Sequence, residues 1–149
     1  MSAPWIDICL TINLVCTLYM VGLIWFVQVV HYPLMAKVGG QGYETYQQAH
    51  MRLTTWVVGP PMLLEAGTAL GLVLLLPMGV QLSLAWRAFS ILILVWLTTA
   101  LFSVPAHQRL LQTFCPKAHR RLVQTNWLRT LGWTIRAVIV VCIYRYHYA

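Results

Sequence analysis

Four apolar stretches, each close to 20 residues long, constrain this chain more than any other feature. They fall at 8–30, 53–76, 82–104 and 122–144. A helix needs about 20 apolar residues to cross a hydrocarbon core about 30 Å thick. The runs are too long for strands and do not alternate. The sequence therefore predicts an all-α polytopic membrane protein: a single four-transmembrane-helix bundle over 1–149, built from two helical hairpins. An even number of spans puts both termini on the same side.

Composition narrows the function classes. Hydrophobic residues make up 60% and charged residues 9%, against about 25% charged in a soluble domain. A disordered chain needs the opposite balance. Ten Lys and Arg stand against three Asp and Glu, a net charge of +7. In a soluble protein that excess suggests nucleic acid; here it reads as the cationic rim of a membrane protein, with the bilayer rather than nucleic acid as the partner. Lys37, Arg52, Arg109, Lys117, Arg120 and Arg121 follow spans one and three, whereas the other side offers Arg87 and Arg145. The positive-inside rule places both hairpin loops in the cytoplasm and both termini outside, as expected in a bacterial inner membrane. Trp5, Trp86, Tyr144, Tyr146 and Tyr148 suit the outer aromatic belt, and Tyr32, Tyr43, Tyr46 and Trp127 the inner one. The first run lacks a basic leader and a clean cleavage site, so it is read as a retained helix.

Local signals agree with two hairpins. Val38-Gly39-Gly40-Gln41-Gly42 breaks the chain between spans one and two. Pro116 can open the fourth helix, where a missing N–H costs nothing. Gly59-Pro60-Pro61 lies inside span two and should kink it. Pro33 and Pro105 sit near the inner ends of spans one and three. Ala49-His50-Met51-Arg52-Leu53 and Ala118-His119-Arg120-Arg121-Leu122 precede spans two and four, and a tryptophan follows each, which is compatible with a parallel internal repeat. Gly67 and Gly71 form a Gly-x-x-x-Gly spacing suited to close helix packing or a homodimer.

Histidines supply the first candidate site. Antiparallel pairing about turns near Gly40 and Thr113 brings His31 level with His50 and His107 level with His119, within roughly 6 Å at 1.5 Å rise per residue. Glu44, two turns before His50, could join the edge of this layer. Such a layer is compatible with a transition metal on His31, His50 and His107, or with a haem. Interfacial histidines bonded to water, lipid or backbone are the simpler reading, and proton handling or substrate hydrogen bonding a further one. No Glu-x-x-His pair supports a carboxylate di-iron bundle.

Charged residues inside the spans supply the second. Glu65 and Arg136 lie about 20 Å along their helices, at matched depth. An isolated charge there costs at least ~2.5–3.5 kcal/mol, so the two should pair, as a register pin, a proton relay or a polar anchor. Arg129 lies about 10 Å into span four and needs a partner, a water-filled cavity or a snorkelling route to the interface. With Gln28, Thr54, Thr98, Thr99, Ser103 and Asn126 it could line a polar cavity facing the cytoplasm. Among the cysteines, Cys9 and Cys142 fall near the same face, compatible with a disulfide or with two small core hydrophobes; Cys16 lies within span one and Cys115 in a loop.

Three short stretches carry a resemblance. Val104-Pro105-Ala106-His107-Gln108-Arg109-Leu110 resembles the Val-Pro-x-Asn-x-x-Leu element of the anthrone-oxygenase-like family of small four-helix bacterial membrane proteins, with His107 in the Asn place. Asn126-Trp127-Leu128-Arg129-Thr130 is similar to that family's polar-x-x-Arg-Thr element, and His31-Tyr32-Pro33-Leu34 to the end of its first span. The three stretches make up 16 of the 149 residues. It implies oxidation of a hydrophobic polycyclic substrate without a bound cofactor.

Two functional expectations follow. In one, the histidine cavity binds a metal or haem, or carries out redox or oxygenase-type chemistry on a hydrophobic small molecule. His31, His50, His107 and His119 are then the cofactor-binding residues, while Glu65, Arg129 and Arg136 are the catalytic ones. In the other, the chain is a non-enzymatic accessory subunit or scaffold of a larger membrane complex.

Overall fold

The computed structural model describes residues 4–38 and 42–149. The expected break at Gly39, Gly40 and Gln41 lies outside the described residues. Four long helices account for nearly all the rest: α1 Pro4–Met35, α2 Tyr43–Leu75, α3 Val80–Leu110 and α4 Pro116–Tyr148, each long and apolar enough to cross a membrane. Helical structure extends beyond every apolar run, most at the loop end, where α2 starts at Tyr43 and α4 at Pro116.

The helix ends have local causes. Gly42 takes a left-handed φ of 90° before α2, a conformation glycine adopts without steric cost. Leu76 is extended ahead of Pro77, which ends α2. Cys115 is extended ahead of Pro116, which opens α4 at its first turn.

The helices run antiparallel in sequence around the bundle, and α4 packs on both α1 and α3. Asp7 and His147 meet at 2.6 Å, so both ends of the chain lie at one end of the bundle and both hairpin loops at the other. Three apolar layers stack along the axis. Leu10, Leu72, Leu76, Ala85 and Ile143 fill the terminal end. Met20, Ile24, Val95 and Trp133 form the middle. Tyr32, Met35, Tyr43, Leu110 and Leu122 fill the loop end. Polar groups are interleaved between these layers, and the outside is apolar: Trp56 is 75% exposed and Leu74 73%. That inversion suits a bilayer, where lipid tails cover leucine and bundle contacts come from packing and polar bonds.

Close contact is greatest between α3 and α4. A Cβ at Gly132 would stand 2.5 Å from a Val95 methyl, so only glycine fits that crossing. The Gly67 and Gly71 pair divides. A Cβ at Gly71 would touch Cys9 of α1 at 3.3 Å, while nothing lies near Gly67. All four cysteines are free, with Cys16 buried and Cys142 exposed. No Cys9–Cys142 bond is formed.

Two departures from regular α-helix matter for the site. α1 widens into a π-helical turn at Val27–His31, closed by Tyr32 N–H donating to the Val27 carbonyl. α3 does the same at Thr99–Ser103, closed by Val104 N–H donating to Thr99. Each wide turn ends two residues before a proline, Pro33 or Pro105. The two hairpins thus repeat this feature at the same offset. The paired Ala-His elements do not repeat so closely, because His50 and His119 have different surroundings.

Candidate functional site

Two polar layers lie inside the bundle. The deeper one is centred on Glu65 and Arg136, both with no exposed side-chain surface. Arg136 Nη1 donates to Glu65 Oε1 at 2.7 Å and to the Thr17 hydroxyl. Thr17 donates to the same carboxylate oxygen at 2.8 Å, and Trp133 Nε1 donates to Oε2 at 3.1 Å. Arg136 Nη2 donates to Asn13 Oδ1, and Asn13 Nδ2 donates to the Glu65 carbonyl and the Thr68 hydroxyl. The expected pairing at matched depth is met. Yet the pair is walled in by side chains and lines none of the described cavities. The arrangement ties α1, α2 and α4 together at one depth. Glu65 and Arg136, expected as catalytic residues together with Arg129, do not line the cavity beside Arg129; Trp133 donates to Glu65 and its ring faces the Arg129 guanidinium.

The second layer holds that cavity. It measures about 270 Å³ and is lined by residues of all four helices. Met20, Leu23, Ile24, Val27, Val58 and Met62 give an apolar wall. Tyr32, His50, Thr54, Ser103, His107 and Arg129 give the polar part. The opening follows from α2. Between Gln47 and Glu65 that helix has no buried residue. Pro60 and Pro61 fall in this stretch and remove two donors from the helix ladder. Thr55 and Gly59, which line the cavity, belong to this loosely covered stretch.

Arg129 is 9% exposed. Its Nη1 donates to Asn126 Oδ1 at 2.9 Å and to the Ser103 hydroxyl at 3.5 Å, and its guanidinium lies 5.4 Å from the centre of the Trp133 ring. Asn126 Nδ2 donates to Gln28 Oε1 at 2.7 Å, which ties this group to α1. Arg129 Nε has no hydrogen-bond partner. The chain's three carboxylates are engaged elsewhere: Asp7 with His147, Glu44 with Gln48 and Glu65 with Arg136. Arg129 is thus a buried cation with no carboxylate beside it among the described residues. Thr99 lines the cavity as expected, although its hydroxyl, like that of Thr98, returns a bond to the Val95 carbonyl.

Three of the four expected histidines come together. His31 and His50 stack at 4.5 Å between ring centres, and His50 and His107 lie 5.4 Å apart. Tyr46 extends the stack at 6.3 Å from His50. His107 lies between two partners, with Tyr32 Oη 3.3 Å from Nε2 and Gln47 Nε2 3.1 Å from Nδ1. The Thr54 hydroxyl is 3.1 Å from His50 Nδ1, and His31 Nε2 is buried without a partner. His119 is not part of this group: its Nε2 bonds the Tyr32 carbonyl at 2.9 Å, and its ring lies against Phe114. Glu44 is exposed and accepts from Gln48, so it does not join the layer.

The metal expectation fails on geometry. Among the described residues no three His, Cys, Asp or Glu side chains are placed to hold a metal ion. Stacked rings hold their nitrogens in roughly parallel planes instead of aiming them at one point, and both His107 nitrogens are engaged. For a haem the cavity wall offers only His50 and His107 as axial ligands, and both His107 nitrogens are already engaged.

Sequence reasoning missed several members of both layers. Asn13 and Thr17 stand four apart on one face of α1, a spacing visible in the sequence. Gln47 stands three residues before His50. Tyr32 and Tyr43 are buried at 2% exposure instead of lying in an interfacial belt. No family model matches the chain, and no curated protein or solved structure shows significant similarity to it.

Proposed function

We propose that the cavity beside Arg129 binds a lipid-soluble small molecule through an oxyanionic or carbonyl head and carries out redox or oxygenase-type chemistry on it. One observation carries this reading: Arg129 is a buried cation without a carboxylate, on the wall of a largely apolar cavity. Burying a charge at membrane depth is costly, and ionisable groups held there usually serve a ligand or an ion path. A ligand oxygen would supply the missing counter-charge. The small volume suits a head group, with the apolar body lying between the poorly covered stretch of α2 and the lipid.

His107 and His50 line the same cavity and are the candidates for proton transfer. Removal of a proton next to a substrate carbonyl leaves an oxyanion, which Arg129 is placed to hold. The enolate so formed can pass electrons directly to dioxygen, so transfer of the proton to His107 or His50 would open an oxygenase-type reaction on a carbonyl substrate. The resemblance of 104–110, 126–130 and 31–34 to the anthrone-oxygenase-like family supports the same class. The distribution of basic residues supports hairpin loops in the cytoplasm and both termini outside, in a bacterial inner membrane.

The test is to purify the protein in mild detergent and identify lipophiles that travel with it by mass spectrometry, in wild type and in Arg129→Met. A carbonyl or acidic lipophile present in wild type and lost from a folded Arg129→Met supports the reading. No such compound in either sample, with stable co-purification of a larger protein assembly, would replace it with an accessory-subunit role.

A further inference from the structure

A second cavity of about 180 Å³ lies between α3 and α4 near the loop end. Leu101, Phe102, Pro105 and Ala106 of α3 and Ala118 of α4 form its walls, and Arg109 and Arg121 complete it. Arg121 is held against this groove, with its guanidinium 5.9 Å from the centre of the Phe102 ring, within cation–π range. No carboxylate lines the groove, and all three in the chain are engaged elsewhere.

Depth is the second argument. The apolar run of α3 ends at 104 and that of α4 begins at 122. Arg121 therefore stands at the hydrocarbon boundary, and Arg109 about 7 Å beyond it at 1.5 Å per residue. Leu101, 64% exposed, continues the groove towards the lipid. Two guanidinium groups from different helices at headgroup depth, above an apolar floor, match a phosphodiester with an acyl chain attached. Guanidinium forks suit phosphate oxygens, and basic pockets between membrane helices recognise anionic headgroups.

We propose that this groove seats the phosphate of an anionic phospholipid, clamped by Arg109 and Arg121, with an acyl chain over Leu101 and Phe102. The site is separate from the Arg129 cavity and does not depend on its ligand.

The test compares thermal unfolding of delipidated protein after adding phosphatidylglycerol, phosphatidylcholine or inorganic phosphate. Wild type is run beside Arg109→Gln/Arg121→Gln and an equal-charge control at the same end, Lys117→Gln/Arg120→Gln. Phosphatidylglycerol should raise the Tm of wild type and control by several degrees more than phosphatidylcholine does. Its apparent affinity for the Arg109/Arg121 variant should fall roughly tenfold or more, because the charge-assisted bonds to the phosphate are lost. An equal shift with inorganic phosphate would mean a free-anion site and overturn the proposal. Equal losses in both double variants would mean diffuse attraction and overturn it too. If the Arg109/Arg121 variant does not fold, native mass spectrometry of wild type in an equal mixture of the two lipids decides. Retained phosphatidylglycerol supports the clamp, and no preference overturns it.

Discussion

Two arginines lie inside this bundle in opposite circumstances. Arg136 is paired with Glu65 and bonded further to Asn13 and Thr17, although its Nε, like that of Arg129, has no partner. Breaking a buried pair by removing one partner typically costs about 3–5 kcal/mol. Arg136→Met should therefore lower Tm sharply, and Glu65→Leu/Arg136→Met should recover much of the loss, as read by thermal unfolding in detergent. Additive losses in that cycle would show that the two groups do not act as a pair. Arg129 has no carboxylate to strand. Arg129→Met removes a costly charge and leaves Asn126 Oδ1 short of a donor, a penalty of about 1–3 kcal/mol. Stability should change much less than in Arg136→Met, while ligand retention is lost. A Tm drop as large as that of Arg136→Met would place Arg129 in the scaffold instead. The depth match of Glu65 and Arg136 was legible because helical rise converts residue number directly into height. The roles of Asn13, Thr17 and Trp133 were not, because they depend on the direction each side chain takes around its helix. Height also brought the histidines level, but it could not show that their rings stack or that His119 turns to Tyr32.

At the scale of the helices, α3 and α4 touch where Gly132 meets Val95. Valine is stiff at χ1, so it cannot swing away cheaply. Gly132→Ala should destabilise the bundle by about 1–3 kcal/mol, the usual cost of overpacking. Val95→Ala in the same chain should relieve part of it; a Gly132→Ala variant with unchanged unfolding would contradict this crossing. On the other side, Pro60 and Pro61 interrupt the ladder of α2 beside the cavity. Pro60→Leu/Pro61→Leu should restore two backbone bonds, draw that stretch closer and reduce ligand retention while raising Tm. Wild-type retention in that variant would separate the opening from the prolines. The existence and order of the four helices could be read from the apolar runs alone. Their ends could not, because the turns beyond each run carry Tyr, His and Gln that pack into the loop-end core and leave no hydropathy signal.

For the whole molecule, polar groups tie the interior together and apolar groups face outward, so the bilayer completes the fold. Six of the ten basic residues lie at the loop end. That asymmetry predicts one orientation. In a chain carrying Cys9→Ala, Cys16→Ala and Cys142→Ala, a membrane-impermeant maleimide should reach Cys115 in inverted vesicles and not in intact cells. Labelling from outside would reverse the assigned topology. The two wide turns ahead of Pro33 and Pro105 bear on the interior as a whole. Each inserts one residue into a helix with 3.6 residues per turn, and so advances everything beyond it by about 100° in azimuth. Tyr32 on one helix and His107 on the other lie beyond these turns and take their bearing from that rotation, while His31 and Ser103 close the turns themselves. Deleting the outward-facing Val29 would return α1 to regular winding and carry the histidine stack out of phase with the cavity, although no side chain of the site had been altered. The aim of this interior is set by a count of residues in the backbone as much as by their identity.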